Sequence, residues 1–262
     1  LHLDSSYALV HLAGKAHDTQ KIIKRHEYFD ANTYLTKKLF KIFMQSKSKV
    51  FIYLSSVKAV ADVVDNELFE NETPKPNSLY GQSKLAAENY ILSKKLPNEK
   101  RVFIIRPCLI YGPNPKGNLR LLFDINRSGL PWFFGAYKNK RSYCSIENLS
   151  FVIEKLLENK NIGSDIFNVS DDEPLSTSDV VCVIYKALNR KPVFINLPIF
   201  MLEMIAKIGD FIPIKLNSQR LRKLTESYIV NNNKVKKAIK SLLPVNSRDG
   251  LLKSFKSIIQ KK

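Results

Sequence analysis

The sequence has little cysteine, and its cysteines form no pattern. Cys108, Cys144 and Cys182 are the only three in 262 residues, and their spacing fits neither a disulfide framework nor a metal-binding motif. No metal site is therefore predicted. A few scattered thiols are typical of a reducing compartment, so we expect a cytoplasmic protein.

Long apolar runs are also scarce. The most apolar stretch, residues 193–216, is interrupted by two prolines and by Glu203, Lys207 and Asp210. A membrane-spanning helix needs about 20 predominantly apolar residues, so no membrane span is predicted. Residues 199–208 have the pattern of an amphipathic helix, which could lie on a membrane surface or face a protein core. The sequence favours the core-facing position.

Acidic residues are too few to balance the basic ones. The chain has 42 lysines and arginines against 24 aspartates and glutamates, a formal net charge of +18. Such an excess can attract nucleic acid or anionic membranes. However, the basic residues are spread over nearly every predicted helix, and no nucleic-acid-binding motif accompanies them. We therefore expect no nucleic-acid partner, and the positive field suits a small anionic substrate such as a nucleotide diphosphate.

Short apolar runs alternate with longer amphipathic stretches over the first two thirds of the chain. This pattern indicates an α/β protein with parallel βαβ units. Residues 113–141 are predicted to be irregular, and the chain from residue 170 onward to be mostly helical. The predicted strands are 7–12, 50–54, 102–105, 142–146, 166–169 and 193–197, and the predicted helices of the first part are 30–45 and 80–96.

The pair Tyr80 and Lys84 suggests proton transfer. Four residues apart on a helix, the two side chains share one face. A phenol has a pKa near 10, and a lysine ammonium group one turn away is expected to lower it towards neutral pH. Ser56 follows a buried strand at the sheet edge where parallel sheets bind ligands, and its hydroxyl group could hold a substrate oxygen. The same pair would also fit the exposed face of an amphipathic helix.

Three motifs together resemble a known family. They are Ser55-Ser56 after a buried strand, Tyr-Gly-x-Ser-Lys-x-x-x-Glu at 80–88 and Arg-Pro-x-x-x-Tyr-Gly-Pro at 106–113. This combination resembles the extended short-chain dehydrogenases, a family of nucleotide-sugar epimerases, dehydratases and reductases. The resemblance implies a doubly wound parallel Rossmann sheet in residues 1–113 and 142–169. It also implies a smaller, mostly helical substrate-binding lobe in residues 114–141 and 170–262.

The resemblance implies a role for each matching residue. Tyr80 would be the catalytic acid/base, with Lys84 as its partner and Ser56 as the catalytic hydroxyl group that also contacts substrate. Asn118 and Arg141 would contact the diphosphate of a UDP-sugar, since a guanidinium group forks onto phosphate oxygens. The positions that would line NAD or NADP are Ala13, Gly14, Asn32, Ser55, Tyr80, Lys84 and Pro107.

Departures from the family pattern narrow the predicted activity. Val57 and Lys58 stand where dehydratases carry an Asp-Glu pair, which disfavours 4,6-dehydration. The strings at 55–58, 116–118 and 139–142 resemble bacterial polysaccharide enzymes that reduce UDP-4-keto-6-deoxy-N-acetylhexosamines. The predicted function is therefore NAD(P)-dependent reduction at C4 of a UDP-sugar. The alternatives are a UDP-glucose or UDP-N-acetylglucosamine 4-epimerase, and an inactive remnant that binds a nucleotide sugar or a protein partner.

The glycine-rich turn that opens this family is absent from the sequence. The nine glycines begin at Gly14, whereas the family begins with a strand, a Gly-x-x-Gly-x-x-Gly turn and a helix that holds the cofactor pyrophosphate. From two crossover units of about 30 residues each, we expect about 50 to 60 residues to be missing. The chain would then be a fragment or a truncated product, and we expect it to be inactive alone. We expect the full-length form to be a homodimer.

Overall fold

The computed structural model describes residues 6–16, 25–212 and 216–260. The chain divides into two compact units. The first comprises residues 1–108, 148–170 and 230–243, and the second comprises residues 109–147, 171–229 and 244–262. This division differs from the predicted one in four places, since 109–113 and 142–147 fall in the second unit and residues 170 and 230–243 fall in the first.

The described residues form the following elements. The strands are β1 (Ala8–His11), β2 (Val50–Leu54), β3 (Glu67–Leu68), β4 (Arg101–Pro107), β5 (Leu109–Tyr111), β6 (Tyr143–Ser145), β7 (Asp165–Val169) and β8 (Ile229–Val230). The helices are α1 (Arg25–Tyr28), α2 (Leu35–Gln45), α3 (Leu79–Leu92), α4 (Gly117–Arg127), α5 (Ile146–Glu158), α6 (Thr177–Ala187), α7 (Ile199–Phe211), α8 (Ser218–Thr225), α9 (Asn233–Ile239) and α10 (Ser247–Gln260). A π-helical turn, Phe29–Tyr34, joins α1 to α2, and a 3₁₀ turn, Val57–Ala59, follows β2.

The first unit is built on a parallel sheet with the strand order β1-β2-β4-β7. β2 and β4 are almost entirely buried, as unbroken apolar strands in a parallel sheet are. From α2, Phe40 and Phe43 pack on Phe51 of β2, with ring centroids 5.1 and 5.3 Å apart. The predicted α/β fold with a parallel Rossmann-like sheet is confirmed. The carboxyl ends of β1, β2 and β4 share one edge, so the residues that follow these strands lie together.

Two helices of the first unit differ from their predicted bounds. The helix predicted at 30–45 begins at Arg25 and contains the π-helical turn, where the Leu35 N–H group donates to Asp30 O. The helix predicted at 80–96 ends at Leu92. Pro97 disfavours helical backbone in the residue before it, so a helix that runs to residue 96 is disfavoured.

The second unit is mostly helical, and two predictions within it are wrong. Residues 113–141 were expected to be irregular but contain α4, whose buried residues Leu119, Leu122 and Phe123 follow helical spacing. Residues 193–197 were expected to form a strand but make only two isolated bridges, from Phe194 to Trp132 and from Asn196 to Phe134. Among the described residues, no helix is both long and apolar enough to cross a lipid bilayer.

Candidate active site

The first turn of α3 is fixed in place by its cap. The Ser78 side chain accepts a hydrogen bond from Gly81 N at 3.2 Å, and the Asp62 carboxylate accepts from both Ser78 N and Ser78 Oγ at 2.8 Å. Gly81 allows close approach, because a Cβ atom there would lie 2.3 Å from Lys58 O. These contacts determine where Tyr80 and Lys84 lie.

Lys84 reaches from α3 to the end of β2. Its side chain is buried, its Nζ atom donates to Leu54 O at 2.8 Å, and it lies 5.0 Å from the centroid of the Tyr53 ring. Burial lowers the pKa of Lys84 to about 8, and the nearby Glu88 carboxylate partly offsets this. The predicted lysine is therefore placed at the carboxyl edge of the sheet.

Tyr80 faces Ser56, as the predicted catalytic arrangement requires. Burial raises the pKa of Tyr80, and its interaction with the Ser56 hydroxyl group lowers it by less. Ser56 Oγ also accepts from Lys58 N at 3.2 Å. The prediction that Lys84 lowers the pKa of Tyr80 is not confirmed here, because burial dominates and the ammonium group donates to Leu54 O.

Gly14 and Asn32 meet Lys84 at the same edge. A Cβ atom on Gly14 would lie 2.7 Å from Asn32 Oδ1 and 3.0 Å from Lys84 Nζ. The Asn32 amide group accepts from Lys15 N at 2.8 Å and donates to Lys15 O at 3.0 Å and to Ser83 Oγ at 2.9 Å. The absence of a side chain at Gly14 therefore allows Asn32 and Lys84 to approach its backbone closely. The resemblance assigns Gly14, Asn32 and Lys84 to the lining of NAD or NADP, and this role stays a prediction.

The other predicted cofactor positions follow the strand ends. Ala13 is exposed two residues beyond β1. Ser55 directly follows β2, and its N–H group donates to Ile105 O at 2.7 Å. Pro107 is the last residue of β4, is buried, and pairs with Val169. No group of histidine, cysteine, aspartate or glutamate suited to a metal ion occurs among the residues that the structure describes.

A buried ion pair beneath this site had no predicted role. Arg106 Nη2 lies 2.6 Å from Glu88 Oε2, and Arg106 Nε lies 3.0 and 3.2 Å from the two carboxylate oxygens. Both side chains are almost wholly buried, and Ser55 Oγ donates to the same carboxylate. Both residues belong to the recognised motifs. Glu88 also lies one helical turn after Lys84, a spacing that could have suggested a shared face.

Asn118 and Arg141 belong to the second unit. Asn118 is exposed in the first turn of α4. Arg141 is partly buried, and its Nη2 atom lies 3.8 Å from Glu226 Oε2 and donates to Glu226 O at 3.3 Å. Its backbone exchanges hydrogen bonds with Leu175 at 2.9 Å. The structure thus brings together Ser56, Tyr80, Lys84, Gly14 and Asn32 within the first unit, whereas Asn118 and Arg141 belong to the second.

The sequence profile of the NAD dependent epimerase/dehydratase family matches residues 3–170. The chain belongs to this family. Among its relatives, a UDP-glucose 4-epimerase of Vibrio cholerae is 30% identical over 213 residues, covering 79% of this chain and 65% of the relative. An N-acetyl-α-D-glucosaminyl-diphospho-ditrans,octacis-undecaprenol 4-epimerase of Escherichia coli O157:H7 is 30% identical over 173 residues, covering 65% and 52%. The chain therefore spans less than two thirds of the length of both relatives.

Solved structures share the fold of this chain. MoeE5 in complex with UDP-glucuronic acid and NAD aligns with a TM-score of 0.75 at 18% identity, covering 99% of this chain and 81% of that one. UDP-glucuronic acid 4-epimerase from Bacillus cereus in complex with NAD aligns with a TM-score of 0.73 at 20% identity, covering 98% and 76%. At such identities the likeness establishes the architecture.

Proposed function

We propose that the protein acts as an NAD(P)-dependent oxidoreductase at C4 of a UDP-sugar, within a 4-epimerisation reaction. The observation that carries this proposal is the meeting of Ser56, Tyr80 and Lys84 at the carboxyl edge of the sheet, beside Gly14 and Asn32. A proton-transferring tyrosine, a hydroxyl group and a buried lysine suit the interconversion of an alcohol and a ketone.

Each side chain has a distinct task in this proposal. When bound, NAD or NADP would accept a hydride from the sugar carbon and return it. Tyr80 takes up the proton of the C4 hydroxyl group and gives it back, and Ser56 hydrogen-bonds the same oxygen. Lys84 supplies positive charge that stabilises the phenolate form of Tyr80, which is the form able to accept that proton. Asn118 and Arg141 would hold the diphosphate of the substrate.

The names of the curated relatives support epimerisation. The Vibrio cholerae and Escherichia coli proteins, each 30% identical, are both named 4-epimerases, and solved structures with this fold contain UDP-glucose or UDP-glucuronic acid with NAD. Reduction of a UDP-4-keto-6-deoxy-N-acetylhexosamine is the second candidate, favoured by the strings at 55–58, 116–118 and 139–142. Val57 and Lys58 continue to disfavour 4,6-dehydration.

Cofactor stoichiometry separates the candidates. The protein is incubated with UDP-glucose or UDP-N-acetylglucosamine and a trace of NAD, and the sugar is followed by proton NMR. An epimerase yields the C4 epimer without net change in the nicotinamide absorbance. A reductase leaves these sugars unchanged but consumes one NAD(P)H for each UDP-4-keto sugar reduced. Binding of UDP-sugar without turnover in either assay would contradict the proposal and identify an inactive binding protein.

A further inference from the structure

Helix α7 of the second unit exposes an apolar stripe. One side of the helix is anchored by Leu202 and Ala206, which are 2% and 1% exposed. On the opposite side, apolar residues recur every three or four positions, a spacing that aligns them along the helix. Their exposed fractions are large: Phe200 68%, Met204 54%, Ile208 46% and Phe211 92%. The predicted core-facing orientation thus describes only half of this helix.

The neighbouring helix adds positive charge to this surface. α8 packs against α7 and exposes Arg222 and Lys223, with Leu221 as its buried residue. A hydrogen bond also links the two helices, because the Asp210 carboxylate accepts from Ser218 N at 3.0 Å. An exposed apolar stripe therefore lies beside a basic helix in one compact unit.

We propose that α7 and α8 form a docking surface for anionic lipid bilayers. Phenylalanine and aliphatic side chains on one side of a helix, with basic residues nearby, match helices that lie in the membrane interface. At 13 residues α7 is too short to span a bilayer, so the helix would lie parallel to the surface. This inference goes beyond the proposed reaction and does not depend on it.

Charge decides between a lipid surface and a second copy of the chain. Each chain has a formal net charge of +18, so two copies repel each other at long range, whereas an anionic lipid surface attracts the same charge. Basic residues outnumber acidic ones along α7, α8 and the segment between them. In the sequence of this stretch, the basic residues are Lys207, Lys215, Arg220, Arg222 and Lys223, and the acidic residues are Glu203 and Asp210.

Vesicle sedimentation tests the proposal directly. The 262-residue chain is mixed with vesicles of phosphatidylcholine alone or of phosphatidylcholine with phosphatidylglycerol, at low and at high salt. We expect binding to the anionic vesicles only, with weaker binding as salt rises. The variant Phe200→Ser/Phe211→Ser should lower the partition coefficient at least about tenfold. Arg222→Glu/Lys223→Glu should lower it about tenfold at low salt and little at high salt.

A matched control separates this surface from general stickiness. Leu242 is an 83% exposed apolar residue of the first unit, and Leu242→Ser should leave vesicle binding unchanged. All of the substituted side chains are exposed, so circular dichroism should show the same helix content in each variant. Equal binding to neutral vesicles, or equal loss with Leu242→Ser, would overturn the proposal. The proposal would also be overturned if the chain did not bind vesicles but associated with itself, and if Phe200→Ser/Phe211→Ser abolished that association. This result would assign the stripe to a second copy of the chain.

Discussion

Removing one partner of the Glu88–Arg106 ion pair should destabilise the first unit strongly. The side chains are 0% and 3% exposed, and three nitrogen–oxygen distances lie between 2.6 and 3.2 Å. In Arg106→Met the Glu88 carboxylate keeps the Ser55 hydroxyl group as a hydrogen-bond donor. Leaving a buried charge without its counter-charge costs about 3 to 5 kcal/mol, so the free energy of unfolding should fall by that amount.

The double variant Glu88→Leu/Arg106→Met gives the sharper test of this reasoning. Two apolar side chains of similar volume leave no buried charge, and the main remaining loss is the acceptor of Ser55, about 1 to 2 kcal/mol. The double variant should therefore be more stable than either single variant. Urea denaturation followed by circular dichroism measures all four corners of this cycle. Lys155→Met serves as the control, since its solvent-exposed pair with Glu158 should contribute little to stability.

Two outcomes would refute the argument. A loss below about 1 kcal/mol in Arg106→Met would show that the pair is solvated in the folded protein. A double variant as unstable as the sum of the single variants would show that the two residues stabilise the fold through separate contacts rather than through each other.

Three further predictions follow from the described site. Tyr80→Phe should lower kcat at least about 100-fold with UDP-sugar binding retained, because the proton acceptor is lost; near-normal turnover in a steady-state assay would remove Tyr80 from the reaction. Arg141→Ala should weaken UDP binding by about 1.5 to 3 kcal/mol in titration calorimetry, the scale of hydrogen bonds to a charged group, and unchanged affinity would exclude it from the site. Burial and the charge of Lys84 lower the pKa of His11 to about 4. Because the unfolded chain then binds the proton first, stability should fall by about 3 kcal/mol as the pH drops from about 6.5 to 4, a loss that His11→Gln should abolish in pH-dependent denaturation.

The sequence was sufficient to predict elements whose pattern is local. The bounds of β2 match the prediction because an unbroken apolar run is typical of a strand that is buried on both faces of a parallel sheet. The helical spacing within α4 was also present, but nearby prolines and glycines masked it. By contrast, the bridges at Phe194 and Asn196 depend on partners some 60 residues away in sequence, and no local pattern reveals such partners.

The candidate site was predictable in its residue types and less so in its energetics. Motif spacing placed Tyr80, Lys84 and Ser56 together, and their meeting in the structure agrees with that hypothesis. The sign of the pKa shift at Tyr80 was predicted wrongly, because it depends on how deeply the ring is buried. The role of Glu88 was missed because Glu88 lies on α3 whereas its charge partner, Arg106, comes from β4.

The π-helical turn Phe29–Tyr34 makes this part of the chain sensitive to a change in length. Its wider hydrogen-bonded ring, from Leu35 N to Asp30 O, accommodates one residue more than an α-helical turn would. Just before the turn, the Tyr28 ring packs 6.2 Å from the Tyr80 ring. Near the end of the turn, Thr33 Oγ1 donates to Ser83 O at 2.8 Å. Deleting one residue would restore regular α-helix and turn Tyr28 by about 100° relative to Thr33. After deletion of one residue in this turn, Tyr28 and Thr33 could therefore no longer both keep their contacts with α3. A substitution at an exposed position would leave both contacts intact.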